Sequence, residues 1–231
     1  MRVLDLFCGA GGAARGYADA GFEVEGWDID PQPRYPFAFH RGDVLDVLRD
    51  IDYVRSFDFV HASPPCKVHT VARHVIRPGA NRKHAVDLIP QTRDALLVAE
   101  VPFVIENTPG ALLVDPVILC GSMFGLGVRR HRLFEAHAIE LPQPECQHAK
   151  QDAAGKIYPV RRYHSGEPVI TMSSVVGVFG HGQGLGPGEV DLWRQAMGIE
   201  WMTRDELAQA IPPAYTRWIA DHVNSLVGKG F

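Results

Sequence analysis

Cys66 follows Pro64 and Pro65 directly, and the pair Glu106-Asn107 closes the apolar run Phe103-Val104-Ile105. Two consecutive prolines restrict the backbone ahead of the thiol, so the loop can hold a sulfur in one direction. A thiolate held that way is a candidate nucleophile, because covalent attack divides one difficult step into two easier ones. Glu106, at the end of a strand-like run, can hydrogen-bond a substrate and stabilise charge that develops on attack. Arg130 and Arg132 flank His131 ahead of Leu133-Phe134, and strand alternation sets both guanidinium groups on one face. One of the two can bind a carbonyl while the other braces a loop or meets phosphate.

The start of the chain carries a different chemistry. Val3–Phe7 runs straight into Gly9-Ala10-Gly11-Gly12, small residues that permit a sharp turn and close approach of a nucleotide at a helix entrance. No Gly-Lys-Ser/Thr set follows, which argues against a phosphate-loop ATPase or GTPase, and the turn does not match the Gly-x-Gly-x-x-Gly of an NAD enzyme. Asp28, at the end of the next strand with Ile29 beside it, is suited to ribose hydroxyls. Asp43, after Gly42, can meet an adenine amino group. A turn cap for Asp28 and a surface acid for Asp43 are the structural alternatives.

These residues need a frame of alternating strands and helices. Short apolar runs predict strands at 2–7, 22–27, 57–62 and 102–106, with helices at 12–20, 84–99, 189–197 and about 214–227. That order favours βα units on a largely parallel sheet, an α/β fold. Residues 138–190, with five prolines and a glycine-rich run from Gly177 to Gly188, read as a small irregular substrate-facing region. The chain of 231 residues with 46% apolar composition can bury one substantial core.

No run of eighteen apolar residues and no leader-like segment is evident, so the expectation is a cytoplasmic protein without a membrane span. Cys8, Cys66, Cys120 and Cys146 lack CxxC spacing, which reads as free thiols and no metal site. The net charge of −4 disfavours a strongly cationic surface, yet Phe59 through Val86 contains no Asp or Glu and carries Lys67, Arg73, Arg77, Arg82 and Lys83. A second basic group, Arg129, Arg130 and Arg132, is followed by Lys156, Arg161 and Arg162. An acidic whole can therefore present a basic face to phosphate.

The segment Asp5-Leu6-Phe7-Cys8-Gly9-Ala10-Gly11-Gly12 resembles the cofactor motif of DNA cytosine-5 methyltransferases. Pro64-Pro65-Cys66 resembles that family's catalytic motif, Glu106-Asn107 its Glu-Asn-Val motif with Thr108 for valine, and Arg130-His131-Arg132 its Gln-x-Arg-x-Arg motif with Val128 for glutamine. Ala210-Ile211-Pro212-Pro213 is similar to the final motif, with Ala208 and Gln209 at its Gly-Asn positions. The resemblance runs from residue 3 to about 223 and covers 138–190 least.

It implies a Rossmann-like methyltransferase fold and S-adenosyl-L-methionine as donor, contacted by Phe7, Gly9, Ala10, Gly11, Gly12, Asp28, Ile29 and Asp43. It further implies attack of Cys66 on C6 of a cytosine, with Glu106, Arg132 and Arg130 completing the catalytic set. The division it implies is a catalytic domain of 1–137 with 191–231 and a reduced target-recognition region of 138–190. Double-stranded DNA is the expected partner, with Lys67, Arg73, Asn107, Arg161 and Arg162 as substrate-binding candidates. The compact length fits a stand-alone or phage-borne modification enzyme in a bacterial cell or infected host. Methylation of RNA or a modified base, and a catalytically inactive nucleic-acid-binding relative, stay open, as does the oligomeric state.

Overall fold

The computed structural model describes residues 1–65, 86–154, 158–164, 167–178 and 189–227, with backbone alone at 158–171 and 226–227. A seven-stranded sheet in the order β3-β2-β1-β4-β5-β7-β6 forms its centre. The strands are β1 (Arg2–Leu6), β2 (Glu23–Asp28), β3 (Ala38–Arg41), β4 (Phe59–Ala62), β5 (Phe103–Asn107), β6 (Val117–Leu119) and β7 (Arg132–His137). From β3 to β5 all pairs are parallel, and β7 runs antiparallel to both β5 and β6. Every residue of β4 and β5 is buried. That is the pattern of strands covered on both faces, and it explains their unbroken apolar runs.

The helices are α1 (Gly12–Asp19), α2 (Val44–Val47), α3 (Ile51–Arg55), α4 (Ile89–Ala99), α5 (His148–Ala153), α6 (Glu189–Met197), α7 (Arg204–Gln209) and α8 (Pro213–Val227). On one face of the sheet α1 and α8 enclose Tyr17, Phe59, Phe134, Tyr215 and Ile219. On the other, α2, α3 and α4 enclose Leu4, Leu6, Val60, Leu96 and Ile105. A third cluster joins Trp193 and Met197 of α6 and Leu207 of α7 to Val128, Val176 and Val178. Within 138–190 the chain forms α5 and a separate antiparallel hairpin of β8 (Tyr158–His164) and β9 (Glu167–Ser173).

The predicted strands and long helices are present within a few residues, with 84–85 of the predicted 84–99 helix outside the described residues, while β3, β6, β7, α2, α3, α5 and α7 were not predicted and the region read as irregular holds the β8–β9 hairpin. The sheet winds outward to β2 and β3 on one side of β1 and to β4 and β5 on the other. Ligands of open α/β sheets bind at such a switch, outside the carboxyl ends of the strands. Because β7 is antiparallel, it begins at the edge where β5 ends: Asn107 pairs with Leu133 and Glu106 with Phe134. Arg132 is thereby delivered to the same crevice as the ends of β1, β2 and β4.

Candidate active site

The glycine turn is anchored from two directions. Gly9 N–H donates to Asp28 Oδ2 at 2.9 Å and Asp30 N–H to Asp28 Oδ1 at 3.0 Å, so the carboxylate ties the end of β2 to the turn after β1. Each carboxylate oxygen keeps further acceptor capacity. Phe7, half-buried, has a φ of 57°, a left-handed conformation unusual outside glycine and typical of functional turns. Among the described residues a side chain on Gly9 would meet nothing within 4 Å, so these leave open space against the turn. Gly12 has the opposite reason for lacking a side chain, since a Cβ there would lie 2.4 Å from the Ile211 carbonyl oxygen. The C-terminal Ile211-Pro212-Pro213 segment thus packs onto the turn, and Trp201 Nε1 donates to the Ala10 carbonyl at 2.9 Å.

Ile29, 62% exposed, continues the surface beyond Asp28. Asp43 is exposed and caps α2, its Oδ1 accepting from Leu45 N–H at 2.9 Å. Beneath the turn, Asp5 is buried and accepts from Tyr35 O–H at 3.2 Å. Burial, with Asp28 nearby, pushes the Asp5 carboxyl up to about 8, so it is largely protonated at neutral pH. Burial also pushes the Cys8 thiol far up, which makes it an inert part of the core.

At the other end of the crevice Glu106 is buried and lies 3.0 Å from Arg132 Nε. Desolvation raises its pKa, while Arg132, then Arg130, then a hydrogen bond from Ser63 oppose the shift. Ser63 heads a buried chain: Tyr17 O–H meets His61 Nδ1 at 2.9 Å, and His61 Nε2 meets Ser63 Oγ at 2.9 Å. Burial raises the Tyr17 hydroxyl and lowers His61 to about 3, so both are neutral. In the tautomer in which Tyr17 O–H donates to Nδ1, His61 Nε2–H donates to Ser63 Oγ, which leaves the Ser63 proton for the hydrogen bond to Glu106. Tyr17 and His61 were not among the sequence candidates, because they meet Ser63 through packing of α1 on β4 and leave no motif.

Asn107 is engaged on both amide atoms. Its Nδ2 donates to the Pro64 carbonyl at 2.9 Å and its Oδ1 accepts from Thr108 N–H at 2.9 Å, which pins the Pro64-Pro65 loop to the end of β5. Arg130 reaches three carbonyls, those of Ala210, Val178 and Ala208, at 2.8, 2.6 and 2.7 Å. It is a brace joining the C-terminal segment to the arginine strand, and Arg132 is the member of the pair that faces Glu106. Next to the motif position held by Val128, Gln151 of α5 donates to the Leu126 and Val128 carbonyls at 2.8 and 3.1 Å and accepts from Arg129 Nε.

Cys66, Lys67 and Arg73 lie outside the described residues, and Arg161 and Arg162 lie on β8, where the side chains are outside them too. The described part of the Pro64-Pro65 loop ends at Pro65, which is exposed beside the Asn107 brace. No helix among the described residues is long and apolar enough to cross a membrane.

No protein-family model matches the sequence, and no curated protein matches it. Solved structures do. An E. coli prophage-encoded protein described as a DNA modification methyltransferase superposes with a TM-score of 0.60 at 14% identity over 99% of both chains. The S. pombe Dnmt2 methyltransferase gives 0.60 at 16% identity, covering 98% of this chain and 99% of its own. The Entamoeba histolytica methyltransferase EhMeth gives 0.57 at 13% identity over 98% of each. At these identities the likeness is one of fold. The chain has the Rossmann-like fold of these methyltransferases over nearly its whole length, as the motif resemblance implied.

Proposed function

We propose that this protein transfers a methyl group from S-adenosyl-L-methionine to C5 of cytosine in double-stranded DNA through a covalent adduct with Cys66. The observation that carries the reading is the buried Glu106–Arg132 pair, 3.0 Å apart, at the same strand ends as the Pro64-Pro65 loop and the glycine turn. A carboxyl group with a raised pKa can hold a proton for a ring nitrogen and accept from an exocyclic amine, while the guanidinium donates to a carbonyl oxygen. Cytosine offers those three groups along one edge.

The chemistry follows from these placements. The Cys66 thiolate adds to C6, forming the S–C6 bond and opening the C5–C6 double bond. Negative charge that moves toward N3 and the carbonyl is met by Glu106 and Arg132. C5, now enamine-like, would gain the methyl group as the donor's S–CH3 bond breaks and its electron pair stays on the departing sulfur. Transfer of the C5 proton to a solvent base and expulsion of the Cys66 thiolate would restore the C5–C6 double bond. Ser63 holds the Glu106 carboxyl in place, and Asn107 holds the loop that precedes the nucleophile.

The residues fit the donor. Open space at Gly9, the Phe7 conformation, the Asp28 carboxylate and the exposed Ile29 suit a ligand, whereas Ala10, Gly11 and Gly12 are buried, Gly11 against Tyr35 and Pro36 and Gly12 against Ile211, so they would shape the turn beneath it, and Asp43 lies exposed after Gly42. When bound, S-adenosylmethionine supplies an electrophilic methyl group. The target base must leave its stack to reach a buried carboxylate, which is the requirement met by base flipping. Residues 1–137 with 191–231 form the catalytic domain in this reading. Residues 138–190 form the recognition region, with Lys67, Arg73, Arg161 and Arg162 toward phosphate.

The test is transfer from a methyl-labelled donor to duplex DNA and to matched RNA, followed by base-resolution mapping, with Cys66→Ala alongside. Label at cytosine C5 of DNA that disappears in Cys66→Ala is the expected result. Label on RNA alone would move the substrate to RNA. Donor and DNA binding without label would make the protein a binding relative.

A further inference from the structure

Four side chains outside this site converge at the root of the 138–190 region. Cys120 ends β6 and starts the 3-10 turn Gly121–Phe124, His131 precedes β7, Cys146 lies in the loop after β7, and His148 opens α5. One ligand atom from each lies within 4.8 Å of every other. Cys120 Sγ is 3.3 Å from His148 Nε2, and Cys146 Sγ is 3.5 Å from His131 Nε2. Ligands of a tetrahedral zinc ion with Zn–S near 2.3 Å and Zn–N near 2.0–2.1 Å sit ~3.3–3.8 Å apart. The two separations given fall in that range, and the remaining ones, none beyond 4.8 Å, require a contraction of at most about 1.5 Å. The His131 and His148 rings meet edge to face at 87°, which keeps both nitrogens clear of ring stacking.

We infer that Cys120, His131, Cys146 and His148 bind one structural zinc ion. Two thiolates and two imidazoles form a closed Cys2His2 set, and such a set leaves no position for a substrate. The surroundings suit it. Ser122 Oγ accepts from Gln147 N–H at 3.1 Å and lies 3.1 Å from Cys120 Sγ, so its own proton is available to a thiolate there. Cys120 is buried, Cys146 is exposed and both histidines are half-buried, which gives an anchored ligand and an entry path from solvent.

The absence of CxxC spacing, read from the sequence as no metal site, does not bear on this set. Its ligands come from four separate places along the fold and share no local motif beyond Cys146-Gln147-His148. The ion would join the end of β6, the first residue before β7 and the start of α5. It would fix His131, which sits between the brace Arg130 and the site residue Arg132, and it would anchor the segment that leads into the β8–β9 hairpin. A metal clamp is a common substitute for apolar burial where a small excursion cannot build its own core.

The experiment uses the full chain purified under reducing conditions. Metal analysis should find one zinc per chain. After chelation, cobalt(II) titration should give the ligand-field bands of a tetrahedral ion together with thiolate-to-metal charge transfer. Cys146→Ser and His148→Gln should each weaken metal retention by at least about tenfold while circular dichroism stays that of the wild type. Chelator should lower the thermal midpoint of the wild type, and it should do so in both variants at lower chelator concentration or by a smaller amount. The inference fails if folded wild type takes up no zinc, if cobalt shows no thiolate charge transfer, or if both variants bind like the wild type. A Cys120–Cys146 disulfide in the reduced preparation overturns it too.

Discussion

The crevice holds two carboxylates, and it holds them in opposite ways. Asp28 is half-buried, fixed by two backbone N–H groups, with exposed Ile29 and Asp43 nearby. Glu106 is buried against Arg132 and receives a hydrogen bond from Ser63, itself the end of a buried neutral chain from Tyr17. The first arrangement keeps acceptor sites open at a surface, as suits a ligand that must enter and leave. The second keeps a charge ready in a poorly solvated place, where each hydrogen bond counts for more. In the proposed function one end of the crevice binds the donor and the other reacts, and substitutions at each should separate the two properties.

The largest effect is expected at the reacting end. Glu106→Gln keeps the shape of the side chain and removes its proton chemistry, so methyl transfer should fall by about 10²–10³-fold. Donor affinity, measured by calorimetry, should stay within about twofold, far below the effect of losing one hydrogen bond to a charged group. If donor affinity falls in step with turnover, the two ends are one site and the division is wrong. Asp28→Ala is the mirror case. Loss of a charged acceptor for ribose hydroxyls should weaken donor binding by about 10–100-fold while DNA binding, measured by gel shift, is retained.

Ser63→Ala tests the buried chain and has a definite sign. The Ser63 hydrogen bond favours the ionised Glu106, so its loss moves an already raised pKa further up. Where the protonated carboxyl is the working form, the descending limb of the kcat–pH profile should shift to higher pH. At neutral pH the protonated share of Glu106 is then at least that of the wild type, so kcat should not fall through loss of the working form. A loss of rate with an unmoved profile would mean that Ser63 only packs the loop.

The two ends also differ in how far the sequence reveals them. The glycine turn and Asp28 are local: a strand, a tight turn and a strand end, each a few residues long with the required residue types in order. The buried strands were legible too, because a strand covered on both faces carries an unbroken apolar run. β3 was not, since Ala38–Arg41 is a short and mostly exposed edge strand with no apolar pattern. Tyr17 and His61 are 44 residues apart and meet because α1 packs on β4, a tertiary fact without a linear signature. For the same reason the residue types alone left the division of labour between Arg130 and Arg132 open, and only the family resemblance gave Arg132 as the closer match to a base-contacting arginine and Arg130 as its companion. Strand alternation gives the pair a common face, whereas the three carbonyls that occupy Arg130 come from the distant segments at 178 and 208–210.

Asp43 sets the outer limit of the binding end and should show the smallest effect. Its side chain already caps α2, so Asp43→Ala loses a cap worth about 1 kcal/mol. In a chain of this length that is a fall of about 2–4 °C in thermal midpoint. Asp43→Ser separates the two roles, because a serine hydroxyl still accepts from the helix N–H while the carboxylate is gone. A donor contact at Asp43 predicts wild-type stability and an affinity lower by about 2–10-fold in Asp43→Ser, the size of one exposed hydrogen bond. Unchanged affinity in Asp43→Ser, with the midpoint lowered only in Asp43→Ala, would make Asp43 a cap alone and end the donor surface at Asp28 and Ile29.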